Sequence, residues 1–276
     1  MENRSAELHI HTKASDGVLD VIDILNYCMG KRSYIAITDH DILDASVKAY
    51  ALTRSNDYDV KSIIGVEISS INNDESVHVL GYFKDYHYLD PLNQALKKIR
   101  DNRRERVYKI NDLLNEHFGI NLKLDDLFKL TTITRGSIAR EIIKQGYPYT
   151  NEEIFARMIG TGCPAYIKAS KISTKEAVNL VHECKGLAVL AHPVLLKKQT
   201  ALDLIGFGFD GIEAVYPKNK AGDEEYYRNF AKEHNMFITG GADFHEFNDP
   251  SHSDLLTYGI EGADLDIFLE KLNNLK

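Results

Sequence analysis

The sequence has few cysteines and no long apolar run. The three cysteines, Cys28, Cys163 and Cys184, show no C-x-x-C spacing, which argues against a zinc knuckle and against a framework of disulfides. No apolar segment reaches the roughly 20 residues that a membrane-spanning helix needs, and the opening residues MENRSAELH lack the apolar core of a signal peptide. We therefore expect a protein of the reducing cytoplasm that has no membrane partner.

Positive charge is also scarce. The chain has 33 lysines and arginines against 41 aspartates and glutamates, a formal net charge of −8. Because binding along a phosphate backbone needs a basic surface, we do not expect a long nucleic-acid duplex as a partner. The apolar fraction of 43% is ordinary for a globular protein, and 276 residues suffice for one large domain or a domain with an insertion.

Short β-branched and aliphatic runs recur along the chain, as is typical of strands. They occupy residues 7–11, 34–38, 63–69, 77–83, 187–191, 211–216 and 236–243. Helical patterns lie between several of them. One begins with Ser173 and Glu176 at capping-box spacing and ends at Gly186, where a helix terminus favours glycine. Alternating strands and helices without a GxGxxG motif favour a closed parallel barrel over a dinucleotide-binding fold.

The middle of the chain interrupts this alternation. The apolar positions between Pro91 and Phe118 fit one face of a long helix, with proline in its first turn. These positions are Leu92, Leu96, Ile99, Val107, Ile110, Leu114 and Phe118. We interpret residues 90–170 as a helical insertion in an α/β barrel that is formed by residues 1–89 and 171–276.

Residues that commonly bind metals cluster at the ends of the predicted strands. His9 and His11 are two positions apart in the first strand, so their side chains share one face. Other candidates follow later strands: Asp39, His40, Glu67, His192, Asp243 and His245. Because the carboxyl ends of parallel barrel strands build the active site, we expect these side chains to converge. On their own, the two histidines of the first strand could equally pack on a half-polar sheet.

Two groups of histidines do not follow that pattern. His78 lies near the beginning of its predicted strand, so either that strand runs differently or the residue belongs to an irregular edge. The remaining five histidines fall in predicted helices and loops and are expected to be solvated: His87, His117, His182, His234 and His252.

Six motifs together resemble the polymerase and histidinol phosphatase (PHP) superfamily. They are ELHIHTKASDG, AITDHD, GVEIS, VHVLGYF, LAVLAHP and GGADFH, and they span residues 7–245. The resemblance implies a distorted (β/α)7 barrel that binds two or three divalent ions such as manganese, iron or zinc. It suggests three groups of ligands: His9, His11, Glu67 and Asp243; Glu67 with His78 and His192; and Asp16, His40 and His245. Asp39 is expected to orient an imidazole, or else to be an ordinary carboxylate at a helix start.

Several cations close together suit phosphate-ester hydrolysis by attack of a metal-bridging hydroxide. The resemblance is to the subgroup that acts on nucleoside 3′,5′-bisphosphates and on the 5′ end of short RNA, with the insertion as a cap. A small phosphorylated substrate is therefore the expected partner. Histidinol phosphatase, a non-catalytic metal-binding PHP module and an amidohydrolase are the alternatives.

A phosphate-binding arginine is also expected, because a guanidinium pairs with two phosphate oxygens at once. Arg135 is the candidate, since similar chains carry a Thr-Arg element there, and Arg140 is the next one. Each could instead be a solvated helix charge. The basic run KKIRDNRRER, residues 97–106, either helps to recruit an oligonucleotide or forms the exposed face of the long helix, and its interleaved acidic residues favour the exposed face.

Overall fold

The computed structural model describes residues 4–55, 57–130, 133–168, 171–249 and 252–275. Nine strands lie within these ranges: β1 (Ser5–Ile10), β2 (Tyr34–Ile37), β3 (Lys61–Asn72), β4 (Glu75–Phe83), β5 (Ile172–Ser173), β6 (Gly186–Leu190), β7 (Gly211–Val215), β8 (Phe237–Gly240) and β9 (Ile260–Glu261). The α-helices of the same ranges are α1 (Val21–Cys28), α2 (Asp44–Ser55), α3 (Asp90–Phe118), α4 (Asp125–Lys129), α5 (Arg135–Lys144), α6 (Asn151–Ile154), α7 (Thr174–Glu183), α8 (Ala201–Leu204), α9 (Asp223–Glu233) and α10 (Gly262–Asn273). A π-helix covers Phe155–Ile159, and short 3-10 helices cover Pro193–Leu195 and Ile205–Phe207.

The strands form one sheet in the order β8, β7, β6, β4, β3, β2, β1, β9, and β5 pairs with β3. A parallel bridge joins Ile10 of β1 to Phe244, which lies shortly after β8, so the sheet is nearly closed. The predicted distorted α/β barrel is therefore confirmed. The seven strands predicted are all present, but β5 and β9 were missed. Each has only two residues, which is too short to show an alternating pattern.

Strand β4 runs against both of its neighbours, β3 and β6. It follows β3 through a two-residue turn in which Asn73 and Asp74 have φ angles of 46° and 57°. Two successive positive φ angles are typical of the type I′ hairpin turn, in which asparagine and aspartate are common. The reversal places the beginning of β4 beside the end of β3, which accounts for the position of His78 in its strand.

The prediction for Gly186 was wrong. Helix α7 has the expected capping box between Ser173 and Glu176, but it ends at Glu183, and Lys185 is the residue with positive φ. Gly186 instead begins β6, where an added Cβ would lie 2.4 Å from the ring of Phe83. Close packing between strands, rather than a helix terminus, requires glycine at this position.

The chain divides into two compact units. One comprises Met1–Leu96 and Lys171–Lys276, and the other comprises Lys97–Ser170. The long helix is present as predicted, but the second unit begins at residue 97 instead of 90, and residue 170, the predicted end of the insertion, lies outside the described residues. The second unit has its own core, built from apolar residues that include Val107, Ile110 and Leu114. Among the helices of the described residues, none is long and apolar enough to cross a membrane.

Candidate metal centre

The ends of the barrel strands bring the predicted ligand side chains together. His9 belongs to β1, Glu67 to β3 and His78 to β4. The other six lie in the loops that directly follow β1, β2, β6 and β8: His11, Asp16, His40, His192, Asp243 and His245. Every one of the nine has at least one ring nitrogen or carboxylate oxygen within 4 Å of another member of the set.

Glu67 lies at the centre of this group, and its two oxygens face different partners. Oε1 is 2.6 Å from Nδ1 of His78 and 3.0 Å from Nε2 of His192. Oε2 is 2.9 Å from Nδ1 of His40 and 3.2 Å from Nε2 of His11. A carboxylate with nitrogen ligands around both oxygens has the geometry needed to bridge two cations.

Asp243 completes a fully buried group with the two histidines of the first strand motif. Its Oδ1 lies 3.3 Å from Nε2 of His9 and 3.1 Å from Nε2 of His11. Ligands that bind one ion at 2.0–2.2 Å are about 3–3.5 Å apart. With Glu67, these residues form a set of four whose ligand atoms lie within 4.8 Å of one another.

Asp16 anchors a second set, at a more exposed place. Its Oδ1 is 3.3 Å from Nε2 of His245, and its Oδ2 is 3.9 Å from Nε2 of His40. The same set includes His11, which the resemblance assigned to a different ion. A further possible set contains His40, Glu67 and His78. His11 therefore belongs to both the first and the second set, and His40 belongs to both the second and the third.

Orphaned polar atoms supply a direct test of whether this pocket fits metal ions. Five of its buried atoms lie 2.9–3.4 Å from one another, but at angles that form no hydrogen bond within the described residues: Nε2 of His9 and His11, Nδ1 of His40, Oε2 of Glu67 and Oδ1 of Asp243. Leaving such atoms without a partner costs on the order of 1–3 kcal/mol each. All five are imidazole or carboxylate atoms that bind divalent cations, so the donor set fits the metal centre that the sequence predicted.

Neighbouring charges control protonation in the metal-free pocket. Burial alone would raise the pKa of the Glu67 carboxyl, but nearby imidazoles, above all that of His40, hold it well below its usual range. Burial would lower the pKa of His11, yet its contacts with Asp243 and Glu67 raise it to about 10. The metal-free imidazole therefore carries a proton at neutral pH. Because a ligating histidine must be neutral, uptake of a cation releases protons.

A buried carboxylate that the sequence analysis missed orients two of these histidines. Glu213 of β7 is fully buried, and its Oε1 lies 2.9 Å from Nδ1 of His9. Its Oε2 accepts a hydrogen bond of 2.8 Å from the backbone N–H of His192. Fixing Nδ1 in this way leaves Nε2 of His9 free to bind a metal, which is the usual arrangement behind a metal-bound histidine.

Asp39 is placed differently from its expected position beside an imidazole. Its carboxylate accepts hydrogen bonds from the backbone N–H and the hydroxyl of Thr12, both 2.7 Å long, and from the hydroxyl of Ser15. Ser15 Oγ in turn lies 3.3 Å from Nδ1 of His11. Asp39 therefore holds the loop that carries Asp16, and among the described residues its link to an imidazole runs through Ser15.

Two loop residues of the site have an unfavourable backbone conformation. His192 has a φ angle of 27° and Asp243 one of 52°, values that residues other than glycine seldom adopt. Such conformations are concentrated at functional sites, where surrounding contacts maintain them. Here Glu213 holds the N–H of His192, and the hydroxyl of Tyr216 donates a 2.9 Å hydrogen bond to Oδ2 of Asp243.

The prediction that His252 is a solvated residue was wrong. Its ring stacks on that of His245 with centroids 4.1 Å apart, and its Nε2 lies 3.7 Å from Oδ2 of Asp243. Its sequence context, FNDPSHSD, shows neither a strand nor a motif of the family. His252 lies outside the helices and strands of the described residues, so periodicity in the sequence could not reveal its position.

Arg135 lies in the second compact unit, at the beginning of α5. Its guanidinium carbon is 5.5 Å from the ring centre of Tyr166 and 5.9 Å from that of Phe155, and one of its nitrogens donates to the carbonyl of Ile159. Burial, together with the charges of Arg135 and Arg103, lowers the pKa of Arg106. Several arginines therefore gather in this unit, and Arg106 is not part of a fully exposed basic face.

Comparisons with known proteins agree with this geometry. The family model described as PHP domain matches residues 7–186. A 5′-3′ exoribonuclease of Haemophilus influenzae is 28% identical over 87% of this chain and 89% of its own length. A 3′,5′-nucleoside bisphosphate phosphatase of Chromobacterium violaceum is 27% identical over 87% of this chain and 86% of its own length.

A solved structure supports the fold independently. A protein of Bifidobacterium adolescentis, whose assignment as a metal-dependent phosphoesterase is provisional, superposes with a TM-score of 0.78 over 97% of this chain and 96% of its own. At 23% identity this likeness concerns the fold alone. The family match covers well over half of the chain, including the whole of the strand-end motifs ELHIH and AITDH and also Glu67. The chain therefore belongs to the PHP family of metal-dependent phosphoesterases.

Proposed function

We propose that this protein hydrolyses phosphate monoesters of nucleotides, either nucleoside 3′,5′-bisphosphates or the 5′ end of short RNA. The observation that carries the proposal is the carboxylate of Glu67, which has imidazole nitrogens within 3.2 Å of both oxygens. The proposed ligands of two or three divalent ions, manganese, iron or zinc, are His9, His11, Asp16, His40, Glu67, His78, His192, Asp243 and His245.

Bound divalent ions would polarise phosphate oxygens and lower the pKa of a water molecule, which makes it a nucleophile at neutral pH. The residues of the chain supply the geometry for this chemistry. Glu213 fixes the tautomer of His9, and Tyr216 orients the carboxylate of Asp243. Asp39 holds the loop of Asp16 through Thr12, so its proposed role is to position that carboxylate.

The relatives favour nucleotides as the substrate class. The Chromobacterium violaceum protein is named for nucleoside bisphosphates and the Haemophilus influenzae protein for RNA, and both align over most of this chain. The alternative substrate, histidinol phosphate, and the alternative of a metal-binding module without turnover have no such support. We propose that residues 97–170 form a cap that selects the nucleotide.

Arg135 is the proposed phosphate-binding residue of that cap. The rings of Tyr166 and Phe155 restrict its guanidinium, and such restriction lowers the conformational entropy lost when an anion binds. Arg106 and Arg103 increase the positive charge around it. This grouping of cations in a chain of net charge −8 supports anion binding in the second unit.

Parallel assays with three substrates test the function. Manganese-loaded protein is given adenosine 3′,5′-bisphosphate, a short 5′-phosphorylated RNA and histidinol phosphate, and phosphate or mononucleotide release is measured. We expect turnover of at least one of the first two and loss of that turnover in Asp243→Ala. Preference for histidinol phosphate, or no hydrolysis by protein that contains metal, would refute the proposal.

Arg135→Ala tests the phosphate-binding role in the same assay. We expect kcat/KM for the preferred nucleotide to fall about tenfold or more, as the loss of a charge-assisted hydrogen bond worth roughly 1.5–3 kcal/mol implies. Arg4→Ala is the control, because Arg4 forms an exposed ion pair with Asp266. An unchanged kcat/KM for every tested ester in Arg135→Ala would refute this role.

A further inference from the structure

His252 extends a stack of imidazole rings into the metal centre. The ring of His245 stacks on that of His11 with centroids 4.2 Å apart and planes 20° apart. On its other side, the ring of His252 lies at 4.1 Å with planes 24° apart. His245 is therefore held between two nearly parallel rings, one of which belongs to the proposed ligand set and one of which does not.

Both nitrogens of His252 face carboxylates. Nδ1 is 2.6 Å from Oδ2 of Asp249, a distance at which it donates a hydrogen bond. Nε2 is 3.7 Å from Oδ2 of Asp243, the oxygen that also accepts the hydroxyl of Tyr216. Asp249 therefore sets the orientation of the ring, and the opposite edge of the ring is directed at a proposed ligand.

The position of His252 could also indicate an additional metal ligand, because atoms of Asp243, His245 and His252 lie within 4.8 Å of one another. The stacking argues against this alternative. The lone pair of an imidazole nitrogen lies in the plane of the ring, so two stacked and nearly parallel rings direct their lone pairs side by side. They do not converge on one ion at the 2.0–2.1 Å that a metal–histidine bond requires. The same geometry argues that the stacked rings of His11 and His245 bind different ions.

We propose that His252 is a positioning residue of the metal centre. Held by Asp249, it keeps the ring of His245 against His11 and limits the movement of the Asp243 carboxylate. Residues that orient metal ligands in this way typically contribute 10–100-fold to metal affinity. The proposal rests on the proposed metal centre, but it does not depend on which phosphate ester is the substrate.

Metal binding by three variants tests the proposal. His252→Ala removes both the stacking and the polar contact, whereas His252→Phe keeps a planar ring but lacks the nitrogen that faces Asp243. His87→Ala is the matched control, because the His87 side chain is 67% exposed and contacts Asp85. Calorimetric titration of the metal-free proteins with Mn²⁺ gives the affinities, and the visible spectrum with Co²⁺ reports the ligand geometry.

We expect His252→Ala to bind Mn²⁺ at least tenfold more weakly than wild type, with an altered Co²⁺ spectrum. His252→Phe should lose less affinity, and His87→Ala should match wild type. Thermal unfolding of the metal-free variants should resemble that of the metal-free wild type, since the role concerns the ligands. If His252→Ala does not fold, His252→Phe decides alone. Weaker binding with an unchanged number of bound ions supports the proposal, and wild-type affinity or one bound ion fewer refutes it.

Other outcomes separate this proposal from the proposed function. Wild-type Mn²⁺ affinity in His252→Ala refutes the positioning role and leaves the phosphoesterase intact. Equal losses in His252→Ala and His252→Phe, with one equivalent fewer of bound metal, refute positioning because they identify His252 as a ligand. If the wild type binds Mn²⁺ but hydrolyses no nucleotide, the substrate proposal fails, and weaker binding by His252→Ala still supports the role assigned here.

Discussion

Glu213 illustrates how one buried residue can organise several parts of a metal centre. Its two oxygens fix the ring of His9 and the backbone of His192, which belong to different strand ends. Neither oxygen is exposed to solvent. Water therefore cannot replace the carboxylate as the partner of the His9 ring and of the His192 N–H if its negative charge is removed. The charge of Glu213 also helps to raise the pKa of His9.

We therefore expect Glu213→Gln to weaken the binding of Mn²⁺ by about 10–100-fold, the usual cost of losing an orienting carboxylate. The amide can accept from the N–H of His192, but it holds the His9 ring less strongly. Calorimetric titration of the metal-free protein measures the effect, and Glu233→Gln, an exposed change at the end of α9, is the control. Equal affinities in wild type and Glu213→Gln would show that His9 does not need this partner.

Glu7 gives a residue-scale prediction about pH. Burial raises the pKa of its carboxyl from 4.5 to about 8, although the N–H groups of Ala242 and Leu256 partly oppose this shift. The folded protein thus binds a proton that the unfolded chain has released between about pH 4.5 and 8. The contribution of this proton to the free energy of unfolding is fully present below pH 4.5. It is lost as the pH rises towards 8, by at most about 1.4 kcal/mol per pH unit.

Glu7→Gln removes this titration. Urea unfolding of the metal-free protein at several pH values between 5 and 8 should show a flatter decline of the free energy of unfolding in the variant. Its stability at pH 5 is expected to be lower than that of wild type, because glutamine has one acceptor oxygen for the two N–H groups that Glu7 satisfies. Parallel declines in the two proteins would mean that Glu7 is ionised in the folded state.

At the residue scale, the sequence offers candidate ligands but does not reveal the residues that orient them. The predicted ligands stand at strand ends and in family motifs, where their chemistry is conspicuous. Glu213 lies inside the run GIEAVY, and nothing in its spacing distinguishes a buried carboxylate from one that faces solvent. The roles assigned to Glu213 and His252 depend on contacts with residues that are distant in the sequence. Only the folded structure shows these contacts.

At the element scale, the direction of β4 was the main feature that periodicity could not determine. An alternating or apolar run gives the face of each side chain but not the direction of the strand. The structure reverses β4 after the Asn73–Asp74 turn, and this reversal carries His78 to the same end of the sheet as Glu67. The anomaly of His78 was therefore a correct indication of unusual topology.

Gly241 is an element-scale requirement for closing the barrel. An added Cβ would lie 2.5 Å from Cβ of His9 and 2.6 Å from its backbone nitrogen. Strand β1 and the segment after β8 therefore approach each other more closely than any side chain would allow. Since His9 lies at the point of contact, the same approach also sets the distance between His9 and Asp243.

We expect Gly241→Ala to lower the free energy of unfolding by about 1–3 kcal/mol, the usual cost of overpacking, and to weaken Mn²⁺ binding as well. Gly206→Ala is the matched control, because no atom lies within 4 Å of the Cβ added there. Urea unfolding and metal titration measure the two effects. A variant at Gly241 that is as stable as the Gly206 variant would show that the two segments separate without cost.

At the scale of the whole molecule, burial of the apolar strands stabilises the barrel. The buried polar cluster at the strand ends destabilises it. Strands β1 and β6 are buried along their full length, as expected for a sheet covered by helices. The cluster adds buried imidazoles and carboxylates with five orphaned atoms. Bound cations would satisfy these atoms, so folding and metal binding are expected to be coupled.

Metal removal should therefore lower the stability of the whole protein. We expect a chelator to reduce the unfolding temperature and added Mn²⁺ to restore it. A ligand that binds only the folded state raises the free energy of unfolding by about 2.7 kcal/mol for each site at a hundred times its Kd.

The stabilisation by metal should also depend on pH. Protonated imidazoles such as His11 must lose a proton before they bind metal. A fixed Mn²⁺ concentration should therefore raise the unfolding temperature more at pH 8 than at pH 6. Thermal unfolding of wild type and of Asp243→Ala measures the coupling. Added Mn²⁺ should raise the unfolding temperature of the variant much less than that of wild type. Equal increases in the two proteins would place the bound ions away from this cluster.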